Sequence, residues 1–395
     1  MTRPVTRESR ERGRSQELPV DADGTAMPAS EIPDLARKGR GAVSNRPGRY
    51  EPGNRPREDD GWPGGSAGTH PENEDEGLPP LRTTVTIDAT RSAIAWNESP
   101  DIGFDRSLNA YRGCEHGCVY CFARPTHAYL GLSPGLDFET KLFAKPEAPR
   151  LLAEELSKRG YSPAPLALGT NTDPYQPIER EMRITRGVLE VLSAFNHPVT
   201  IVTKSALVTR DIDILAEMAG KSLANVCLSI TTLDKHLARK MEPRATTPPR
   251  RLEAVRRLAD AGIPVGVLAA PMIPALNDME LEAILAASAK AGATSAGYVL
   301  LRLPLEIKDL FTEWLEAHEP AKARHVLNLI RDTRRGALYV DKFGERGRGT
   351  GPYAELLAKR FRLAVKRLGL ERRGEGLRCD LFKPPPRKGD QLSLL

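Results

Sequence analysis

No stretch of this chain approaches the ~18 consecutive apolar residues that a helical membrane span requires. The N-terminus, "MTRPVTRESRERGRSQELPV", carries charge but lacks the apolar centre of a secretory leader. Neither membrane insertion nor secretion is signalled, so no membrane partner and a cytoplasmic location are expected. Cysteine is scarce as well. Five in 395 residues are too few for a disulfide scaffold and suit a metal or redox role in a reducing compartment. Acidic residues are outnumbered, 52 Asp and Glu against 58 Lys and Arg, leaving a formal charge of +6. That balance tilts the surface toward polyanions, because a basic face attracts phosphate and releases counterions on binding.

Residues 1–82 are rich in Arg, Asp, Glu, Pro and Gly, and "NRPGRYEPGNRPREDDGWPGGSAGTHPENEDEG" shows no apolar period that could offset the entropy of ordering it. A disordered N-terminal tail is expected there. From residue 83 the texture changes, and short apolar runs recur at intervals of roughly 30 to 40 residues with helical patterns between them. The expected strands are Pro165–Gly169, Val199–Lys204, Val226–Thr231, Val265–Ala270 and Gly297–Leu303, aliphatic on both parities as strands buried on both faces must be. Between them, Val188, Leu192 and Phe195 share one helix face, as do Leu252, Val255, Leu258 and Ala259, and again Leu281, Ile284, Leu285 and Ser288. Gly262 and Gly292 stand where helix C-caps belong. Repeated βα units with right-handed crossovers give an open doubly wound sheet or a full or partial barrel, and function gathers at the C-terminal ends of the strands in either case. The barrel domain is expected over 83–335, followed by a basic, mainly helical C-terminal extension over 336–389. There Leu356, Leu357, Phe361, Val365 and Leu368 form an apolar stripe.

Three of the five cysteines, Cys114, Cys118 and Cys121, lie within "NAYRGCEHGCVYCFARPTHAYL", just after a possible strand "RSLNAYRG". Three thiolates on one compact loop can each bind one iron of a [4Fe-4S] cubane and leave the fourth iron open to an outside ligand. Zinc would need a fourth ligand, for which His116 or His127 are the candidates, yet no second C-x2-C pair follows downstream.

"CEHGCVYC" resembles the radical SAM signature C-x3-C-x-aromatic-C, with Tyr120 as the aromatic residue. That resemblance implies a partial (β/α)6 barrel. It also implies S-adenosylmethionine chelated to the open iron, and reductive cleavage of its sulfonium to a 5′-deoxyadenosyl radical. A low-potential electron donor such as flavodoxin or ferredoxin is implied too. Over roughly residues 90–330 the chain is most similar to the branch containing spore photoproduct lyase and DNA-repair-photolyase-like proteins, through "LGTNTDPYQPIE", "TKSALVTRDIDIL", "MEPRATTPPRR" and "APMIPALND". On that likeness Tyr120 lies against the adenine, Thr172 hydrogen-bonds the cofactor, Lys204 meets the methionine carboxylate, and Ser229 touches the ribose or methionine part. Glu242 and Arg244 either contact the cofactor or form a loop ion pair, and Asp173 either joins the cofactor site or caps the next turn. That branch carries a hydrogen-returning cysteine where this chain has Thr170. Cys227 is expected as a packed core residue, which leaves Cys379 as a candidate radical partner if the tail folds over the barrel mouth.

The expected function is therefore a radical SAM enzyme acting on a nucleic-acid or nucleobase substrate. A tRNA base, a peptide or a small molecule are alternative targets, and the alternative class is a non-enzymatic Fe-S or zinc nucleic-acid-binding protein. Lys359, Arg360, Arg362, Lys366, Arg367, Arg372, Arg373 and Arg378 make either a phosphate-facing surface or a solvated helix face. The terminal "DQLSLL" resembles the short peptide that docks on the bacterial sliding clamp, with Gln391 to Leu395 as the binding tail.

Overall fold

Each apolar run named above is a strand of one parallel sheet. The computed structural model describes residues 36–51, 81–371 and 376–386. All of them belong to one of the two units into which the chain divides, Leu35–Arg55 with Glu74–Leu395. The strands in chain order are β1 (Thr84–Ile87), β2 (Ala95–Trp96), β3 (Arg106–Leu108), β4 (Tyr111–Arg112), β5 (Lys141–Ala144), β6 (Leu166–Leu168), β7 (Val199–Thr203), β8 (Ala224–Ser229), β9 (Val265–Met272) and β10 (Ser295–Leu300). Six of them, in the order β3-β6-β7-β8-β9-β10, are parallel neighbours, and β2 adds an antiparallel strand outside β3. This is the six-stranded parallel arrangement of a partial (β/α)6 barrel.

Strand register divides the side chains between two faces. Ile201, Val226, Leu228, Val265 and Val267 turn outward and are buried under the crossover helices. The opposite parity faces the lumen. Pairing aligns Val202, Cys227, Gly266 and Ser295 in one row, and Ser229, Leu268 and Gly297 in the next row toward the C-terminal ends.

The helices are α1 (Asp137–Thr140), α2 (Ala148–Leu156), α3 (Glu179–Met182), α4 (Ile184–Ala194), α5 (Ile212–Gly220), α6 (Lys235–Met241), α7 (Pro248–Asp260), α8 (Leu281–Lys290), α9 (Ile307–His318), α10 (Pro320–Asp332) and α11 (Gly351–Leu368). Leu281, Ile284, Leu285 and Ser288 all lie buried on α8, where the Ser288 hydroxyl donates back to Ile284 O at 2.7 Å and so brings no unpaired polar group into the core. Gly262 and Gly292 follow α7 and α8 with φ of 76° and 102°, the left-handed conformation that a helix stop requires and that a side chain resists. Among the described residues no helix is long and apolar enough to cross a membrane.

Four features differ from expectation. "RSLNAYRG" is not one strand: β3 joins the barrel sheet, while β4 pairs with β5 in a separate sheet ordered β1-β5-β4. The break falls at Asn109, whose side chain turns away to donate to Thr170 Oγ1 at 3.2 Å and to accept from Asn171 N at 3.0 Å. Arg40, Gly41 and Ala42, expected within the disordered tail, instead pack on the cysteine loop through hydrogen bonds given below. On α11, Leu356 is exposed and leaves the stripe, whereas Leu357, Ala364 and Val365 are buried and Phe361 meets Tyr298 of β10 with ring centroids 4.7 Å apart. Finally, residues 376–386 dock at the N-terminal ends of the barrel strands, where Arg378 N donates to Ser222 O and Lys383 N to Phe195 O. Phe382 packs there among Tyr161, Phe195 and His197.

α11 lies against α8 and β10, held partly by Arg360, which donates to Glu282 at 2.6 and 2.8 Å. Just beyond the helix, Glu371 forms an antiparallel bridge to Ser295 at the start of β10, the outermost strand of the parallel sheet.

Candidate active site

β4 runs directly into the cysteine loop. Gly113 and Gly117 take φ of 74° and 67°, which lets the loop reverse twice within five residues. Its backbone is pinned from several sides: Cys114 N donates to Phe138 O at 2.9 Å, Val119 N to Met241 O at 3.1 Å, and Glu115 N to the Gln176 side chain at 3.0 Å. Beneath it Arg124, fully buried, donates to the carbonyls of Cys118 (2.8 Å), Gly117 (3.1 Å), Pro134 (3.1 Å) and Gly135 (2.9 Å) and pairs with the equally buried Glu139. A buried guanidinium is tolerable only when paired and fully hydrogen-bonded, and here the bonds that satisfy it also shape the loop.

Glu139 carries the connection onward. Its carboxylate accepts from Gly41 N at 3.0 Å and Ala42 N at 2.8 Å, and its carbonyl accepts from Arg40 at 2.9 Å. A Cβ on Gly41 would overlap the Gly117 carbonyl oxygen, so the strap of residues 40–42 sits directly on the loop and needs glycine to do so.

Cys114 and Cys118 are buried and Cys121 is nearly so; none forms a disulfide. Burial, then the charges of Asp173 and the other two thiols, pushes Cys114 well above the ordinary thiol range. Cys118 is pushed up to about 12, by burial first and by Glu242 next, with Lys204 pulling the other way. Burial raises Cys121 too, against donation from the Ala123 and Arg124 amides. The three thiols are thus close enough to feel one another, yet the protein does not supply enough positive charge to hold them as thiolates. Bound iron supplies that charge, so the donor set fits a thiolate-ligated cluster.

It fits mononuclear zinc poorly. Among the described residues no three His, Cys, Asp or Glu side chains converge on a single-ion position. His127 gives Nε2 to a hydrogen bond with Lys141 O at 2.9 Å and packs edge-on against Phe138, while His116 Nδ1 turns to Asp173 at 3.4 Å, within ion-pair range but without hydrogen-bond geometry. Separate thiols, each for its own iron, is the geometry a cubane uses.

Lys204 follows the last residue of β7 and continues the lumen-facing parity of Thr200 and Val202. Its ammonium stands 5.8 Å from the centre of the Tyr120 ring and acts electrostatically on Cys118, Cys121, Cys227 and Glu242. No carboxylate lies within ion-pair distance of it among the described residues. Ser229, ending β8 on the same face, is buried, with a hydroxyl that makes no hydrogen bond to a described residue. The Tyr120 hydroxyl donates to Glu242, which also accepts from Thr231 and Arg251. Burial alone would raise the Glu242 carboxyl, but Arg251 beside it, Lys204 and the donated hydrogen bonds outweigh burial and hold it at about 2.

The remaining expected residues are engaged with the protein. Thr172 donates to Tyr111 O at 3.0 Å. Asp173 accepts from Thr203 (2.7 Å), Lys204 N (2.7 Å) and Tyr175 N (2.9 Å), the last an Asx turn before Pro174. Burial opposes ionisation of Asp173, yet His116 and these donors bring its carboxyl down to about 2. Arg244 pairs with Glu115 at 3.1 Å and points outward into a neighbouring cleft. Thr170 is bonded to Asn109.

Cys379 is at the wrong end of the barrel for a radical partner: its segment is tied to Ser222 and Phe195, which precede β8 and β7. Cys227, expected in the core, alternates with buried Val226 and Leu228 and so faces the lumen, where burial pushes its thiol up to about 12. Sequence reasoning missed Asn109, Arg124, Glu139, Gln176 and Arg251, whose importance depends on partners far away along the chain. The strap left one cue, the small-residue run "GRGAVS" inside an otherwise charged tail.

The radical SAM superfamily profile matches residues 108–287. An uncharacterized protein of Mycobacterium tuberculosis is 36% identical over 285 residues, 71% of this chain and 82% of its own length. One from Methanocaldococcus jannaschii is 28% identical over 173 residues, 44% of this chain and 62% of its own. Among solved structures, spore photoproduct lyase complexed with dinucleoside spore photoproduct superposes with a TM-score of 0.53 at 15% identity, covering 72% of this chain and 79% of that one. A variant of it with bound AdoMet and the same dinucleoside also gives 0.53 at 15% identity, with 72% and 78% covered. At such identities the likeness establishes the fold.

Proposed function

Because this chain belongs to the radical SAM superfamily, whose enzymes use a [4Fe-4S] cluster and S-adenosylmethionine, we propose that it cleaves S-adenosylmethionine at the Cys114, Cys118 and Cys121 loop to modify a nucleobase in nucleic acid. When bound and reduced, that pair supplies a 5′-deoxyadenosyl radical able to take a hydrogen atom from the substrate. The observation that carries the reading is the unpaired Lys204 ammonium, held beside the thiols with no carboxylate partner among the described residues.

The chain's own residues divide the work. Cys114, Cys118 and Cys121 hold the cluster. Lys204 takes the methionine carboxylate, and the free Ser229 hydroxyl reaches the ribose or methionine part. Tyr120 lies against the adenine, with its ring fixed by donation to Glu242, which Arg251 and Thr231 hold ionised in turn. Glu242, Thr172 and Asp173 are therefore positioning residues. Their polar atoms are committed to the backbone and side chains around the site, and Arg244 lies outside it. Thr170 in place of a thiol means that hydrogen is returned to product, if at all, by another group.

The nucleobase assignment draws on the fold shared with a lyase solved with a dinucleoside and on the basic balance of the chain. The reductant is a low-potential carrier such as flavodoxin or ferredoxin. The tail Gln391 to Leu395, expected from its resemblance to bind the sliding clamp, and Arg372 and Arg373 lie outside the described residues.

The test uses full-length chain reconstituted anaerobically with iron and sulfide. Dithionite and S-adenosylmethionine should release 5′-deoxyadenosine, and adding S-adenosylmethionine should change the electron paramagnetic resonance of the reduced cluster. DNA and RNA carrying deuterium should then transfer label to the adenosyl methyl group. A reduced cluster with a spectrum indifferent to S-adenosylmethionine would sink the assignment.

A further inference from the structure

A cleft of about 760 Å³ opens where the loops after β6, β7 and β8 meet the back of the cysteine loop. Arg180, Arg210, Arg244, Arg250 and Arg257 line it, together with His116, and no Asp or Glu does. Two of these charges are compensated from behind: Arg210 by Glu179 and Asp211, each at 2.8 Å, and Arg244 by Glu115 at 3.1 Å. Arg257 donates only to the neutral Thr209 hydroxyl at 3.1 Å, and Arg180 and Arg250 have no hydrogen-bond or ion-pair partner among the described residues. Arg180 and Arg250 therefore line one concavity with no carboxylate partner among the described residues, and Arg257 beside them has only the through-space charge of Glu253 on its own helix, so the cleft carries a positive field that favours an entering anion.

We propose that this cleft is a phosphate seat that grips the sugar-phosphate backbone beside the reacting base. Every cation in its wall is arginine, the side chain whose planar fork binds phosphate oxygens in pairs. Its volume falls in the range of sites for small ligands and short chain segments, whereas a docked protein needs a broad face. Its walls are one or two residues from the proposed chemistry. His116 lies between Cys114 and Cys118, Ser205 follows Lys204, and Arg244 comes two residues after Glu242, a reach of at most about 7 Å along the chain. On α11, for which the sequence allows either a phosphate-facing surface or a solvated helix face, Arg360 is taken up by Glu282. The identity of the phosphate carrier rests on the nucleic-acid reading above; the anion site does not.

The experiment measures binding of inorganic pyrophosphate by calorimetry, and of single-stranded DNA and RNA 12-mers by fluorescence anisotropy over a salt series, to the reconstituted full chain. The triple variant Arg180→Ala/Arg250→Ala/Arg257→Ala is compared with a control, Lys359→Ala/Arg362→Ala/Lys366→Ala, on α11. All six side chains are on the surface, and circular dichroism with iron content confirms that the fold is kept. We expect the first triple to weaken pyrophosphate and oligonucleotide binding about tenfold or more and to flatten the slope of log K against log salt by about 0.7 for each lost phosphate contact. The control should leave both unchanged. Pyrophosphate binding that the triple abolishes, with no oligonucleotide binding by wild type, would uphold the seat while removing the nucleic-acid reading. The seat itself is overturned if wild type ignores pyrophosphate, or if the triple binds it as tightly as wild type. It is equally overturned if the triple's only defect is slower cluster reduction by reduced flavodoxin, which would make the cleft a dock for an acidic protein.

Discussion

Replacing Glu139 by Gln leaves its shape almost intact and removes one charge, which makes it a clean probe of the cysteine loop. In the native fold both Glu139 and Arg124 are wholly buried, and Arg124 has no other carboxylate partner among the described residues. The variant leaves a guanidinium buried against carbonyls alone, a situation that costs about 3–5 kcal/mol. One of the two strap amides, Gly41 N or Ala42 N, also loses its acceptor, adding roughly 1 kcal/mol. Against a total stability of about 5–15 kcal/mol this is a large fraction. At about 2–4 °C per kcal/mol for a domain of some 200 residues, Tm should fall by roughly 10 °C or more. Because Arg124 holds the Gly117 and Cys118 carbonyls, the loss should also appear as fewer irons per chain after anaerobic reconstitution. The control is Arg46→Ala, four residues beyond the strap: Arg46 pairs with Glu313 but is 57% exposed, so its removal should cost less than about 1 kcal/mol. A Glu139→Gln chain that melts within 2 °C of wild type and binds a full complement of iron would refute the coupling.

Three further outcomes follow from the same geometry. Gly41→Ala should lower Tm and iron retention through an overpacking cost of about 1–3 kcal/mol, read by calorimetry and iron assay. Lys204→Met should weaken S-adenosylmethionine binding about 10- to 100-fold, the worth of one charge-assisted hydrogen bond, while iron content stays at the wild-type level; equilibrium dialysis of the reconstituted chain decides it. His197, buried between Tyr161 and the Pro198 carbonyl, is brought down to about 4, chiefly by burial. Unfolded, it titrates near 6.5. Its contribution is therefore present above pH 6.5 and is lost as pH falls from there toward 4, by up to roughly 3 kcal/mol. Urea titrations at pH 7.5 and 5 should show a smaller pH difference for His197→Gln than for wild type.

Where the sequence repeats itself, it could be read. Aliphatic runs on both parities marked β6 to β10 to within two or three residues, because a strand buried on both faces leaves no other pattern. Gly262 and Gly292 marked helix ends for the equally local reason that only glycine takes the required φ without strain. The cysteine spacing brought three thiols onto one loop, and the ends of β7 and β8 set Lys204 and Ser229 on the lumen face, whereas the roles expected of them came from the family resemblance. What escaped depends on pairing at a distance. Asn109 splits an apparent strand by bonding to residues 61 and 62 positions away. Arg40 to Ala42 look like tail because their partner, Glu139, lies 97 to 99 positions on. Cys227 reads as core in the sequence because an aliphatic strand does not reveal which parity faces a lumen. Arg124 and Arg251 look like surface charges until their carboxylates are found.

The final helix has a consequence for solubility. A sheet that stops short of closing into a ring has a border strand at each end, here β10 and β2, and the unsatisfied amides and carbonyls of such a strand invite other chains to add on. Here α11 and the bridge from Glu371 shield β10, so the chain guards that border with its own late-synthesised segment. Until α11 has left the ribosome, the nascent barrel is open at β10 to sticking edge-to-edge with its neighbours, and a truncation ahead of Gly351 should precipitate rather than merely lose activity.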